Sequence, residues 1–556
     1  MGWMRAGMAL SMGVLAIGTA LAVAPPPAAG HAVVAADHPL ASEAGAAVLA
    51  MGGNAVDAAV AAALSAGVVQ PAGSGLGGGG FAVGRLAGGD PFVLDFREVA
   101  PAGATADMYV GPDGVADPDA SRIGGRAVAV PGEPLGLAEL VSRFGRLSHR
   151  QVAAPAITQA MRGFSVGPHL AGALERTRYA AVQQLFQAGG GLARTGDEVR
   201  RPGLANTLRD WARTRGRSVY AGSDARAIVA AVAPDGGVLT YEDLRSYATM
   251  DRTPLVGTYR GYTVITMPPP SSGGVALLQM LSVLEGWELS EIGHNSSEYV
   301  HLLAEAMQHA YADRAHHLGD PDFVDVPVEA LLSPSRTVEI QQAIWPGRTF
   351  GVEHYGQRIA PPRDAGTQHI SATDLAGGAV ALTTTINTSF GSGVVVPGLG
   401  LLLNNEMDDF AAAPGVPNAF GLVGGAANAI APGKRPLSSM TPTIVLDESG
   451  ETVLVLGASG GGFIISATLQ VLLGILDYGL DPQEAVAAPR FHHQWLPAEL
   501  WLEKGYPDDV ARALVARGHS INRRGESSSV QVAARIDGAW AGGADPRKGG
   551  WPASVR

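Results

Sequence analysis

Four patterns in this sequence place reactive residue types at spacings that could do chemistry. Thr367-Gln368-His369-Ile370-Ser371 and Thr383-Thr384-Thr385-Ile386-Asn387 flank a polar loop at Asp374–Gly378. If that loop is symmetric about Ala376, Thr367 falls opposite Thr385, and a one-residue slip would send Thr385 to the other face. Taken alone, the pattern reads as a Thr-rich hairpin. Gly457-Ala458-Ser459-Gly460-Gly461 follows a probable strand and fits a G-x-S-x-G elbow, with Asp481 and His492 or His493 downstream to complete a triad. The same glycines also suit another role, presenting backbone N–H groups to an oxyanion. His301, Glu305, His309 and Asp313 recur every four residues on an expected helix. Each step rotates the side chain by about 40°, so the four cannot converge on one ion and read as a polar face or as satisfied core residues. Gly75-x-Gly77-x-x-Gly80 with Asp95 has the spacing of a dinucleotide fingerprint, but Phe81 opens a strand where that motif needs a helix.

The elements that must position these residues are mixed α and β. Ala41–Met51 and Ala55–Ala66 read as helices, the second so rich in Ala and Val that it must be buried on most sides. Phe81–Val83 and Phe92–Phe96 read as strands around a turn at Gly88-Gly89-Asp90. Helical pattern follows at Pro134–Phe144, His149–Met161, Asp224–Val232 (with Ser223 as N-cap) and Ser297–His317, with one strand at Tyr262–Met267. Arg336–Gly366 reads as weakly ordered. Beyond it come strands at His369–Thr373, Ala379–Asn387, Gly400–Leu403, Thr443–Leu446 and Val453–Leu456, then a helix at Ile464–Ile475. No linker divides the chain into independently folding domains.

Bulk composition narrows the function classes. The 556 residues are 46% hydrophobic and 16% charged, which supports a large core, and the 75 glycines follow no repeat period. A net charge of −12 without a strong basic cluster argues against nucleic acid as a partner. The absence of cysteine excludes disulfides, thiolate metal sites and Cys nucleophiles. Arg5 precedes an apolar run to Ala24 that ends in small-x-small triplets and Pro25-Pro26-Pro27. We read residues 1–24 as a cleaved signal peptide rather than a retained anchor, which leaves no membrane span and a periplasmic or secreted protein.

The Thr367–Asn387 stretch is very similar to the self-cleavage signature of the γ-glutamyltransferase (glutathione hydrolase) family. Further blocks resemble that family in order: His38–Ala41 through Gly53–Ala59, Asp95–Glu98, Pro131-Gly132, Pro268–Gly274, Asn404–Phe410 and Pro436–Pro442. The resemblance implies an α+β chain, folded as the four-layer αββα sandwich of the N-terminal-nucleophile hydrolases. It implies a precursor that splits into a large subunit (25–366) and a small subunit (367–556), which remain together as a heterodimer. Cleavage would free the Thr367 α-amino group, whose pKa near ~7.7–8 lets one residue supply both nucleophile and base.

By the same resemblance, Thr385 orients Thr367, and Gly460 and Gly461 form the oxyanion hole. Arg97 would grip the substrate α-carboxylate with help from Ser438 and Ser439. Asp409 would bind the α-ammonium, with Asn387 and Glu406 beside it. The implied substrates are glutathione and other γ-glutamyl amides, with water, amino acids or peptides as acceptors and no cofactor or metal. Four residues depart from the family pattern: Gln368, beside the nucleophile; Gly378, in the hairpin; Phe420, in a lid-like Pro414–Gly425 stretch; and Phe463, past the oxyanion glycines. Two alternatives stand beside this reading. One is a cephalosporin (glutaryl) acylase of the same family; the other is an inactive secreted binding protein.

Overall fold

The computed structural model describes residues 28–113, 117, 119–357, 366–411, 425–526 and 528–555. The expected leader (1–24), Phe420 and nearly all of the Pro414–Gly425 stretch lie outside the described residues.

Fourteen strands build two antiparallel sheets. In chain order they are β1 (Ala28–Gly30), β2 (Ala32–Ala36), β3 (Gly79–Arg85), β4 (Pro91–Phe96), β5 (Met250–Arg252), β6 (Leu255–Tyr259) and β7 (Tyr262–Thr266). They continue as β8 (Thr367–Thr373), β9 (Ala379–Thr385), β10 (Thr443–Leu446), β11 (Thr452–Ser459), β12 (Ser529–Ile536), β13 (Ala539–Ala544) and β14 (Ala553–Val555). One sheet runs β14-β2-β8-β9-β3-β4-β5 and the other β1-β13-β12-β11-β10-β7-β6.

The period-2 alternation of a strand explains why the sheets stack. In β2, Val34 and Ala36 join one core with the Ala-rich helices, while Val33 joins a second core with residues of the other sheet. In β8, Ile370 and Ala372 face the helices. His369 and Ser371 face the second sheet, where Ser371 Oγ donates to the carbonyl of Gln531 at 3.0 Å. Helices α1 (Pro39–Ala50) and α2 (Ala55–Val69) cover the first sheet, and α3 (Gly273–Leu284) and α5 (Phe463–Leu476) cover the second, with α4 (Ser297–His317) packed against α3. The result is the four-layer αββα sandwich. Each fully buried Val, Leu or Ile in these cores contributes about 1.5–3 kcal/mol.

Local signals set the helix ends. Asn54 caps α2 by accepting from Val56 N and Asp57 N, while Asp57 accepts from Asn54 N at 3.0 Å, a reciprocal capping box. Helix α4 spans the expected residues, with Ser296 capping it. Three expectations need correction. Ser223 lies inside the helix Gly222–Val232, and Ala221 occupies its cap position. The stretch from Arg336 is not uniformly weak: Pro334–Ala343 is helical, started by Ser333, whose Oγ accepts from Arg336 N. The expected strand Gly400–Leu403 shrinks to Leu401–Leu402, paired with Val395–Val396. Among the described residues, no helix is long and apolar enough to cross a membrane.

Candidate active site

The hairpin β8–β9 has the register its loop symmetry predicts: Thr367 pairs with Thr385 and Thr373 with Ala379. Asp374 fixes the turn, its Oδ1 accepting from Ala376 N and Gly378 N at 2.9 Å each. Its Oδ2 accepts from Ala55 N at 3.0 Å, tying the turn to the start of α2. Thr367, His369 and Ser371 therefore share a face with Thr383 and Thr385. That face looks toward β11, the strand leading into Gly460-Gly461. His369 Nδ1 and Thr383 Oγ1 share a 2.8 Å hydrogen bond on it.

Thr367 is fully buried, and its Oγ1 has no hydrogen-bond partner among the described residues. The Thr385 hydroxyl donates to the carbonyl oxygen of Gly366 at 3.3 Å and accepts from Asn387 N at 2.8 Å. It thus engages the carbonyl of the residue before Thr367 rather than Thr367 Oγ1. The glycine-rich stretch that resembled a dinucleotide fingerprint lies directly against this hairpin: a Cβ on Gly78 would sit 1.9 Å from the carbonyl oxygen of Thr385. It enters β3 of a hairpin, and no βαβ unit forms there.

The residues expected to bind a zwitterion converge around Arg97, which follows β4 and is fully buried. Its guanidinium donates to Glu406 Oε1, to Asp409 Oδ2 at 2.5 Å, and to the carbonyls of Pro436 and Leu437 just before Ser438-Ser439. Asn387 Nδ2 donates to the carbonyl of Asn405 at 3.0 Å, beside Glu406. Ser438 Oγ accepts from Met440 N at 3.1 Å, and Ser439 Oγ accepts from Arg314 Nη2 at 2.8 Å. A third carboxylate, Glu98, lies 3.9 Å from Arg97, and burial pushes its pKa up to about 8. Arg97 thus links the buried acids to the loop that carries both serines.

Gly460 and Gly461 end β11 with φ of 126° and 63°, backbone angles that suit glycine and turn the chain sharply before α5. The Ser459 elbow does not form a triad. Ser459 is fully buried and its Oγ accepts from Lys548 Nζ at 2.5 Å, while His492 Nδ1 is hydrogen-bonded to Ser466 Oγ and Asp481 caps a helix. The α4 stripe splits unevenly: Asp313 lies apart from the rest, whereas His301 and Glu305 come within 4.8 Å of each other and of the buried His519. Asp313 pairs with Arg336, Glu305 accepts from Tyr355 and Gln308, and His301 pairs with His519.

Lys548 is a site residue that sequence reasoning missed. Its Nζ donates to the carbonyl of Thr367 at 2.7 Å as well as to Ser459, so it joins the strand of Thr367 to the end of β11. In the sequence it is one cation in a charged turn, with no spacing to single it out. Gln368 donates through Nε2 to the carbonyl of Gln70 at 2.6 Å.

A four-layer αββα sandwich with a buried threonine opening a central strand is the architecture of the N-terminal-nucleophile hydrolases. Within that class, the family profile described as Gamma-glutamyltranspeptidase matches residues 41–555, and the chain belongs to this family. The glutathione hydrolase proenzyme of Escherichia coli (strain K12) is 41% identical over 530 residues, covering 94% of this chain and 91% of that protein. The crystal structure of cephalosporin acylase from Bacillus halodurans superposes with a TM-score of 0.82 at 30% identity, covering 99% and 100% of the two chains. A chain of Helicobacter pylori gamma-glutamyltranspeptidase superposes with a TM-score of 0.55 at 40% identity, covering 56% of this chain and 91% of that one.

Proposed function

We propose that the chain is an exported proenzyme that cuts itself before Thr367 and then hydrolyses or transfers γ-glutamyl groups, glutathione being the first substrate to test. The observation that carries this reading is the Thr367–Thr385–Gly366 arrangement. An unpartnered buried hydroxyl begins a strand, and the facing Thr385 hydroxyl donates to the carbonyl of the preceding residue. Thr367 Oγ attacks the Gly366 carbonyl carbon, and Thr385 stabilises the charge that develops on its oxygen. The C–N bond breaks as the ester forms, the Thr367 nitrogen taking the proton that Oγ gives up. Water then hydrolyses the ester, leaving a Gly366 carboxylate and a free Thr367 α-amino group. The E. coli relative's name, a proenzyme, supports processing of this kind.

In the processed heterodimer of 25–366 and 367–556, the α-amino group takes the proton from Thr367 Oγ as it attacks a γ-glutamyl amide. Backbone N–H groups at Gly460 and Gly461 hold the oxyanion. The amine leaves with a proton, and water or an acceptor amine resolves the γ-glutamyl ester. The substrate zwitterion exchanges partners with the resident ion pairs: its α-carboxylate takes Arg97 and the Ser438–Ser439 loop, and its α-ammonium takes Asp409, flanked by Glu406 and Asn387. A glutaryl group would draw Arg97 away yet bring no cation for the buried acids, a cost that favours the γ-glutamyl reading over the acylase one. An inactive binding protein has no use for a nucleophile kept free of partners. With γ-glutamyl-p-nitroanilide, the wild-type protein is expected to release p-nitroaniline and Thr367→Ala to release none. An inactive, correctly folded wild type would end the proposal.

A further inference from the structure

Away from the reaction centre, α4 carries two buried side chains of metal-ligating type on one face. His301 and Glu305 stand four residues apart and so lie one above the other along the helix. His519, three residues past the helix Asp508–Ala516, is buried against them, and donor atoms of the three side chains lie within 4.8 Å of one another. Ligands held tetrahedrally at about 2.0–2.1 Å stand about 3.3 Å apart, so adjustments of roughly an ångström bring all three onto one ion. The four-residue stripe does not converge as a whole, since Asp313 turns to Arg336. Two of its members nevertheless meet a third ligand 218 positions along the chain from His301.

The surrounding hydrogen bonds prepare these groups as ligands. His301 Nε2 donates to the carbonyl of Trp345 at 2.7 Å, which leaves the Nδ1 lone pair facing His519 Nε2, also 2.7 Å away. A backbone carbonyl on the far ring nitrogen is a common support of a metal-bound imidazole. Burial pushes both rings down, His519 to about 3, and keeps them in the neutral form that ligates. The Glu305 carboxylate is fully buried among neutral partners: Gln308 Nε2 donates to Oε1 at 3.0 Å and the Tyr355 hydroxyl to Oε2 at 2.8 Å. Each oxygen keeps a lone pair, and among the described residues no cation pairs with it. Arg517, whose charge acts on both rings, is engaged instead by Ser297 Oγ at 3.2 Å and the carbonyl of Pro346 at 3.1 Å. A buried carboxylate without a cation is costly, and a divalent ion held between it and two neutral imidazoles removes that cost.

We propose that His301, Glu305 and His519 form a zinc site, with water completing the tetrahedron. Two imidazoles and one carboxylate suit zinc, whereas magnesium and calcium favour oxygen ligands throughout. His301 ligates through Nδ1 and His519 through Nε2, the His519 ring carrying its proton on Nδ1 in the bound state. His301 and Glu305 precede Gly366 and His519 follows it, so in the processed protein a single ion joins the two subunits. That bridging role, unlike the site itself, rests on the self-cleavage proposed above.

Untagged protein, stripped with a chelator, loaded with zinc chloride and desalted, tests this when the bound metal is counted by plasma mass spectrometry. One equivalent is expected in the wild type and in Thr367→Ala alike, and none in Glu305→Gln or His519→Ala. His519→Cys restores a zinc ligand and should recover the metal, a rescue that a merely structural histidine would not give. Saturating zinc should also raise the melting midpoint of the stripped wild type by about 2–4 °C and leave that of His519→Ala unchanged. A folded wild type that retains no zinc, undiminished binding in either loss variant, or a His519→Cys that stays metal-free would overturn the site. A wild type that holds one equivalent yet remains a single chain would overturn the bridging role and the self-cleavage, with the site itself upheld.

Discussion

Thr385 lies directly across the β8–β9 ladder from Thr367, and its hydroxyl donates to the carbonyl of Gly366, one residue before. Opposition across an antiparallel pair puts the Thr385 side chain on the same face as Thr367 and level with the bond to be cut. Removing this donor is therefore expected to slow self-cleavage by about 10²–10³, the usual loss for one oxyanion donor. Thr385→Ala should accumulate full-length chain on a denaturing gel, while Thr385→Ser should process at a rate near that of the wild type. Equal processing of Thr385→Ala and wild type would remove Thr385 from the mechanism.

Arg97 yields a prediction that separates binding from folding. Arg97→Lys keeps the charge but loses the planar fork that reaches Glu406, Asp409 and two carbonyls, so KM for γ-glutamyl donors should rise strongly while the protein stays folded. Arg97→Ala leaves fully buried carboxylates without their cation and should cost about 3–5 kcal/mol in denaturant unfolding. An unchanged KM in Arg97→Lys would count against the zwitterion assignment.

The contact between the sheets gives a stability prediction independent of function. A Cβ on Gly457 would sit 2.3 Å from the His369 ring, where β11 faces β8. Gly457→Ala should therefore destabilise the protein by about 1–3 kcal/mol as the sheets move apart or the ring shifts. A circular-dichroism melt of this variant checks the prediction, and a wild-type midpoint would contradict it.

Stability should fall on both sides of a window between pH 4.5 and 6.5, from opposite causes. Burial pushes His369 and His492 from 6.5 down to about 3, so in this window the unfolded chain binds more protons than the folded one. Their contribution is complete above pH 6.5 and is lost as pH falls toward 3. Glu98 and Glu133 are pushed from 4.5 up to about 8, so here the folded chain holds more protons. Their contribution is complete below pH 4.5 and is lost as pH rises toward 8. Urea unfolding across this range should show the decline between pH 6.5 and 8 flattened in Glu98→Gln; an identical decline there would contradict the assignment.

Local patterns made part of this architecture legible. The loop Asp374–Gly378 fixed the Thr367–Thr385 register because hairpin pairing follows from turn symmetry, and α4 was readable from its helical pattern over Ser297–His317. The strand Ala32–Ala36 was not recognised, since a short Ala/Val run beside a probable leader has no periodicity to distinguish it. Helix α2 runs through Gly67 to Val69, three residues past the expected end at Ala66, and stops before Pro71. Within the candidate site, family resemblance supplied the acids around Arg97, because single buried charges far apart in sequence leave no spacing to read. Lys548 shows the limit most clearly: its partner carbonyl is 181 residues away, and only tertiary structure joins them.

Self-processing at one defined bond is the central claim, and the N-terminus of the small fragment tests it most directly. The purified protein should run as two chains under denaturing conditions, and Edman sequencing of the smaller should begin Thr367-Gln368-His369, with Thr367→Ala remaining a single chain. A wild-type protein that stays uncut, or a small fragment beginning at any other residue, would contradict the account.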